Sequence, residues 1–265
     1  MRLIKKAVEI GNGAAVYVPR EYSGKNIIVI LPEGIEEIKN RVLNRLIEFM
    51  PNILGVYLFG SYSRGEQIDE SDVDILVITE EKDDNIKKSL NDIDMRVVPI
   101  DTIKRTIKNF PLLIVPIIRE SKVLLNPVLL EELNNIQINF SKFKWNFEDI
   151  NRIIEIIKRF VELDDKNISS SHIYSLIMRI RVCFLIECLL KNKEFSNSSV
   201  NKLLEDYKLN QQEINNFFRI YRAVRDNKEN NIKINKEEII KITEILEDYS
   251  TKIEYETKKK AEKRN

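Results

Sequence analysis

Leu58-Phe59-Gly60-Ser61-Tyr62-Ser63-Arg64-Gly65, followed by Ser71-Asp72-Val73-Asp74-Ile75-Leu76-Val77-Ile78, decides how this chain folds. The β-branched and aromatic run Gly55-Val56-Tyr57-Leu58-Phe59 reads as a strand. Gly60-Ser61 breaks it. Glycine permits a tight turn and a close approach of backbone to ligand. Ser61 adds a hydroxyl, and the residues after it can open a helix whose free N–H groups attract phosphate. Arg64 offers a permanently charged fork to the same phosphates.

Ten residues separate Ser61 from Asp72. Asp72 and Asp74 stand i, i+2 on a second apolar strand, so both carboxylates project from one face, roughly 6–7 Å apart at the backbone. Val73, Ile75 and Val77 take the opposite face, toward the core. Two carboxylates on one face repel each other, and a hard cation between them removes that cost. Mg²⁺ suits the position because it takes carboxylate and triphosphate oxygens together.

A two-metal site, with ions about 3.5–4 Å apart, needs a third carboxylate. Asp94 is the candidate, between Ile93 and Met95 at the head of the apolar run Arg96-Val97-Val98-Pro99-Ile100. Beside Asp72 and Asp74 it would activate an acceptor hydroxyl, through the metal or as a general base. Asp92 is the second choice, while Asp69 and Asp101 read as solvated loop residues. A Gly-Ser pair or an Asp-x-Asp is commonplace alone. Their conjunction at this spacing, with Ile-Leu-Val-Ile behind, points to nucleotidyl transfer rather than hydrolysis or simple binding.

Gly60, Ser61, Asp72, Asp74 and Asp94 resemble the pattern of the polymerase-β-like nucleotidyltransferase superfamily, especially its small minimal branch. That pattern is Gly-Ser, a spacer of about ten residues, Asp-x-Asp, and a later lone carboxylate. Ile117-Ile118-Arg119-Glu120-Ser121-Lys122-Val123-Leu124-Leu125 looks like the segment that closes such a domain, so the resemblance covers residues 35–126. It implies that the first two aspartates hold metals and the Gly-Ser turn holds the triphosphate. The third carboxylate would serve the acceptor. The product would be a nucleoside monophosphate ester with pyrophosphate released, and family habit makes the nucleotide ATP.

The chain has 265 residues, enough for two or three domains. Lys+Arg 43 against Asp+Glu 42 exerts no global pull on nucleic acid, so any such contact must come from local patches. Cys183 and Cys188 sit in one apolar helical run at a spacing that suits neither a zinc knuckle nor a disulfide framework, which leads us to expect a reduced, cytoplasmic protein. No stretch approaches the roughly 18 uninterrupted apolar residues of a membrane span, and no signal peptide is visible. His172 follows Ser169-Ser170-Ser171 and reads as a helix cap.

Residues 1–32 read as a small β unit. Val8-Glu9-Ile10 and Ala14-Ala15-Val16-Tyr17-Val18 flank Gly11-Asn12-Gly13 as a hairpin on the Asn-Gly signal. Asn26-Ile27-Ile28-Val29-Ile30-Leu31 would be a third strand. Three short strands cannot bury an independent core, so the unit should pack elsewhere or pair in a homodimer. Glu9 to Pro19 resembles the looped-hinge, AbrB-like module, which implies a swapped-hairpin dimer that binds DNA. Arg2, Lys5, Lys6, Arg20 and Lys25 outnumber Glu9 and Glu21, which is compatible with phosphate contact. A plain β extension used for packing or dimerisation is the alternative.

Residues 35–126 are expected to hold the catalytic core, with Ile38, Val42, Leu46 and Phe49 on one amphipathic helix and a small mixed sheet covered on one side. Residues 146–257 read as an antiparallel bundle. Its helices are Asp149 to Leu163, His172 to Leu190, Ser198 to Tyr207, Gln211 to Asn227 and Lys236 to about Tyr255. Residues 258–265 form a basic, frayed tail. The bundle looks like a HEPN-type helical domain. The Arg-then-His pair of its ribonuclease form is missing, which leaves a substrate-binding half. Arg219, Arg222 and Arg225 recur every three residues and would meet a triphosphate, RNA or an acidic acceptor, with Tyr221 stacking nearby. A solvated helix face is the other reading, and Arg179 and Arg181 form a second candidate pair.

The expected fold is therefore α+β, a small mixed-sheet core between an N-terminal β-hairpin unit and a C-terminal antiparallel bundle. The expected activity is Mg²⁺-dependent transfer of a nucleoside monophosphate, with two ions, to a hydroxyl on a protein, RNA or small molecule. The competing reading is a dimeric DNA-binding regulator or antitoxin that keeps the core as a nucleotide sensor. Membership of a toxin–antitoxin pair would change the role without changing the chemistry.

Overall fold

The computed structural model describes residues 5, 7–27, 33–67, 71–88, 93–163, 169–228, 232 and 234–263. The chain divides into two compact units, Met1–Gly34 and Ile35–Asn265.

In the first unit, β1 (Val8–Ile10) pairs antiparallel with β2 (Gly13–Ala15), with Ile10 opposite Gly13. The hairpin is real, but its turn lies one residue earlier than the Asn-Gly signal suggests. Gly11, at φ 58°, takes the first central position, as glycine does in a II′ turn, and Gly13 pairs in the ladder. The second strand stops at Ala15 instead of running to Val18. Val8, Ile10, Tyr17 and Ile27 are exposed. The expected third strand falls largely on residues 28–32, outside the described residues.

The second unit opens with α1 (Ile35–Arg45), whose Ile38 and Val42 are buried together with Leu46 just beyond its end. β3 (Ile53–Phe59) leads through the short α2 (Gly60–Arg64) toward β4 (Asp74–Thr79). Then come α3 (Asp84–Lys88), β5 (Asp94–Pro99), α4 (Ile100–Asn109), α5 (Pro111–Glu120) and β6 (Lys122–Leu125). The sheet order is β5-β4-β3-β6. β3 runs antiparallel to both β4 and β6, while β4 and β5 are parallel.

Both faces of this sheet are covered, where the sequence suggested one. Val56, Leu58, Ile75 and Val77 pack with Ile38, Val42, Leu46 and Ile86 on the first face. Tyr57, Phe59, Leu76 and Ile78 pack with Ile103, Ile107, Ile114 and Ile118 on the second. Asp72 and Asp74 thus stand at the end of an apolar face of their own, because β4 is apolar on both sides, as a strand buried between two layers must be.

α6 (Pro127–Asn134) and a 3-10 turn at Phe140–Phe143 lead into α7 (Lys144–Leu163), α8 (Ser170–Lys191), α9 (Asn197–Asp206), α10 (Gln211–Arg225) and α11 (Lys236–Glu262). α8 is the central helix, packed against α7, α10 and α11. Its composition fits that place, since buried Ile173, Ile177, Cys183, Ile186 and Leu189 are spread around its circumference. Cys183 and Cys188 are free and buried, and burial pushes the Cys188 thiol up to about 11. His172 completes a capping box, its Nδ1 accepting the Ser169 N–H at 3.2 Å.

Two expectations fail in this half. α7 begins at Lys144, earlier than the periodicity implied, and α11 continues to Glu262 through most of the segment read as a frayed tail. Thr257, just before that segment, is buried, and Lys260 within it reaches the Leu190 carbonyl and the face of Phe140. In addition, one apolar cluster runs from Tyr57 and Leu76 on the sheet through Phe140, Phe143 and Phe147 to Ile180, Phe217 and Leu246. Among the described residues, no packing boundary separates sheet and bundle.

Candidate active site

The C-terminal end of β3 and the N-terminal ends of β4 and β5 meet at one edge of the sheet. Phe59 pairs with Asp74 across the antiparallel ladder, and Asp74 pairs with Asp94 across the parallel one. The Asp94 N–H donates to the Val73 carbonyl at 3.2 Å, so the ladder begins between the two aspartates of the Asp-x-Asp. Val73 is buried on the α1 face, which turns its two neighbours the other way. Asp74 is half-buried, while Asp72 and Asp94 are exposed.

Burial pushes the Asp74 carboxyl up to about 6. The Asp94 charge adds to this, Arg96 opposes it, and Asp72 and Glu120 add smaller upward pushes. Gly60 closes the other side, in the left-handed region at φ 75°. A Cβ at residue 60 would stand 2.0 Å from Asp74 Oδ2. Gly60 is therefore required twice, by its backbone conformation and by the space that the carboxylate occupies.

The Asp74 carboxylate, whose ionisation is disfavoured first by burial and then by the Asp94 charge, fits a hard divalent cation. Among the described residues no three such side chains form a finished cage. The carboxylate oxygens of Asp72, Asp74 and Asp94 are donors of the kind that Mg²⁺ takes.

Gly60 is held from behind by Glu120, at the end of α5. Its N–H donates to Glu120 Oε1 at 2.9 Å, and Ser63 Oγ donates to the Gly60 carbonyl at 2.8 Å. Ser61 is half-buried, and its carbonyl accepts the Glu66 N–H at 2.9 Å. Arg64 is engaged by Glu120 Oε2 at 2.6 Å and Glu66 Oε2 at 2.9 Å. Glu66 in turn accepts the Asn197 N–H at 2.8 Å and Asn197 Nδ2 at 2.7 Å. Arg181 donates to Asn197 Oδ1 at 2.6 Å and lies over Phe195 and Tyr221, 5.1 and 5.4 Å from their ring centres. Burial lowers the Arg181 guanidinium from its ordinary value, and the charges of Arg64 and Arg225 add to that.

The three arginines of α10 do not act as one stripe. Arg219 is exposed, Arg222 donates to the Phe218 carbonyl in its own helix, and Arg225 pairs with Asp226 at 2.7 Å. The Arg179–Arg181 pair splits. Arg179 is tied to Asp149 and the Ser175 carbonyl, and only Arg181 reaches toward the Gly60 turn. Asp101 is an exposed residue in the first turn of α4, and Asp69 and Asp92 lie outside the described residues. Sequence reasoning missed Arg96, which lies over Phe59 at 5.4 Å, and the roles of Glu120, Glu66 and Asn197. A charged pair, Arg119-Glu120, ending an otherwise apolar helix was the available signal for Glu120.

Fold and site together define a nucleotidyltransferase, and comparison with known proteins agrees. The nucleotidyltransferase domain model matches residues 35–125, from α1 to β6. "Putative protein adenylyltransferase MJ1305" of Methanocaldococcus jannaschii is 30% identical over 133 residues, 47% of this chain and 86% of that protein. The chain belongs to the nucleotidyltransferase family. It is also 40% identical over 50 residues to the protein adenylyltransferase MntA of Shewanella oneidensis, a stretch that spans 19% of this chain and 36% of MntA. Among solved structures, spectinomycin adenyltransferase AAD(9) from Enterococcus faecialis, with ATP and spectinomycin, superposes with a TM-score of 0.40 at 16% identity, over 79% of this chain and 98% of that one. No conclusion about this chain follows from that likeness. No helix among the described residues is long and apolar enough to cross a membrane.

Proposed function

We propose that this enzyme transfers adenylate from ATP to a hydroxyl of an acceptor protein, releasing pyrophosphate. The observation that carries the reading is the register Phe59–Asp74–Asp94, which sets Gly60 and two carboxylates side by side at one sheet edge. ATP and a protein acceptor are taken from the names of the two relatives; RNA or a small molecule are the alternatives that the same chemistry serves.

The residue roles belong to this proposal. Asp72, Asp74 and Asp94 would hold Mg²⁺, which when bound neutralises the triphosphate and the developing charge on the oxygens of an in-line displacement. Gly60 brings bare backbone up to the triphosphate, and the Ser61 hydroxyl adds a donor. Asp94, exposed and opposite Asp74, would activate the incoming hydroxyl, through the metal or as the group that accepts its proton. The acceptor oxygen then bonds to the α-phosphorus as the bond to the pyrophosphate oxygen breaks. The helical half presents the acceptor, with Arg219, Arg222 and Arg225 as outlying contacts. The N-terminal hairpin serves dimerisation or DNA contact.

The test is incubation of purified protein with MgCl₂ and each α-³²P-labelled NTP, alone and with a lysate of the source, beside Asp72→Ala/Asp74→Ala. Label from ATP on a protein band, lost in the double variant, is the expected result. NTP binding without transfer to any component, joined to a salt-dependent DNA shift that disappears when residues 1–32 are removed, would replace the enzyme with the sensor–regulator.

A further inference from the structure

A continuous line of polar contacts runs from the Gly60 turn into the bundle. Glu120 divides its two oxygens between the Gly60 N–H and Arg64. Arg64 divides its fork between Glu120 and Glu66. Glu66 divides its carboxylate between the backbone N–H and the side-chain amide of Asn197, at the first turn of α9. Arg181 of α8 holds the other end of that amide. The Arg64 and Glu120 side chains are 17% exposed and Glu66 is 20% exposed, so these pairs are shielded in a way that ordinary surface ion pairs are not.

We propose that Glu120, Arg64, Glu66 and Asn197 form a strut by which α9 sets the Gly60–Ser61 turn for the nucleoside triphosphate. Arg64, Glu66 and Asn197 are positioning residues, and the phosphates meet the turn itself. The proposal rests on the nucleotidyl-transfer reading above. Two facts favour it over direct phosphate contact by Arg64. Arg64 Nε and Nη1 are already committed to carboxylates. Moreover, two glutamates beside a triphosphate site oppose binding by charge alone, so their presence is explained by the geometry they impose. A carboxylate that accepts two N–H groups of Asn197 and one of Arg64 fixes an orientation that a lone cation–phosphate contact would not require.

Glu66→Gln separates the two ideas by sign. Removing an anion near the site strengthens ATP binding if charge alone matters, and weakens it if the strut matters, because the amide then turns a donor toward Arg64 or Asn197. ATP with Mg²⁺ is titrated calorimetrically into the full chain, into Glu66→Gln, Asn197→Ala and Arg64→Ala, and into Arg64→Ala/Glu66→Gln, with thermal midpoints recorded for each. The strut predicts about tenfold weaker binding in Glu66→Gln and in Asn197→Ala, the size of one charge-assisted hydrogen bond. The double variant should be no weaker than Arg64→Ala, since members of one chain do not add. Amide exchange in the peptide 58–66 should accelerate in Asn197→Ala, although Asn197 lies in another element. Binding by Glu66→Gln at wild-type strength or tighter, additive losses, or unchanged exchange overturns the strut alone. A wild type that does not bind ATP overturns the adenylyl-transfer reading and the strut with it.

Discussion

The Asp74 carboxylate occupies the space where residue 60 would carry a side chain, with Oδ2 only 2.0 Å from the Cβ that Gly60 lacks. Gly60→Ala must therefore move the carboxylate at the centre of the site and also hold alanine at φ 75°. We expect a loss of about 1–3 kcal/mol of stability from the backbone and the collision, with transfer activity at or near background. Gly65 is the internal control. It also has positive φ, 68°, as the left-handed cap of α2, but a Cβ there meets nothing. Gly65→Ala should cost about 1 kcal/mol and keep most activity. Equal activity losses in the two variants would refute the special role of Gly60.

The acidic edge makes the metal-free protein pay for its own site as pH rises. Asp74 has its folded value raised from 3.8 to about 6. Below 3.8 both folded and unfolded forms are protonated and no penalty exists. Between these values the folded state holds a proton that the unfolded state has lost, so stability falls as pH increases, and above about 6 the penalty is complete. In EDTA, Asp74→Asn should therefore melt higher than wild type at pH 7.5 and at the same temperature at pH 3.5. Adding MgCl₂ with ATP should raise the wild-type midpoint and leave the variant's unchanged. A variant that melts below wild type at neutral pH would show that the carboxylate is not under this strain.

Much of this was legible in the chain because the informative residues are local. Gly60-Ser61, the Asp-x-Asp and Asp94 lie within a stretch of short apolar strands broken by turn residues, and the register Asp74–Asp94 is the pairing of two of those strands. What was hidden depends on long-range placement. Glu120 meets Gly60 sixty residues away, and Glu66 meets Asn197 at a separation of 131. An isolated glutamate carries no periodicity that announces such a partner. The second apolar face of β4 was hidden for a related reason: Ile75-Leu76-Val77-Ile78 is apolar at every position, so alternation could not say how many faces were covered. The hairpin turn shifted because Gly11 and Gly13 flank Asn12, and either neighbouring pair satisfies a two-residue turn.

Because one apolar cluster joins sheet and bundle, residues 35–265 should unfold together. Phe147 is 2% exposed between the two halves, and Phe147→Ala should cost about 3–5 kcal/mol. Trp145, the single tryptophan, lies on α7 and reports the bundle, while far-ultraviolet circular dichroism reports the whole. The two signals should give one coincident urea transition in wild type, shifted but still coincident in Phe147→Ala. A separate early transition in Trp145 fluorescence would show that the bundle is an independent domain.

The last prediction concerns a partly buried polar cluster in the bundle. Tyr249 donates to Glu187 Oε2 at 2.5 Å, and Lys191 donates to Glu187 Oε1 at 2.7 Å. Burial alone would raise the Glu187 carboxyl, but the Lys191 and Tyr249 hydrogen bonds outweigh it and hold the group below its ordinary 4.5. A carboxylate depressed in this way stabilises the fold above its unfolded value, and that stability is lost as pH falls through the lower folded value. Tyr249→Phe should cost about 1–3 kcal/mol at pH 7, because it removes a hydrogen bond to a charged group and leaves the packing of the ring intact. The gap between wild type and variant should narrow as pH falls through the lowered folded value, where Glu187 gains a proton and the Tyr249 bond loses its charge assistance. Urea midpoints of both proteins from pH 7 to pH 3 measure this directly. A gap that widens as pH falls would contradict the direction that its two donors impose.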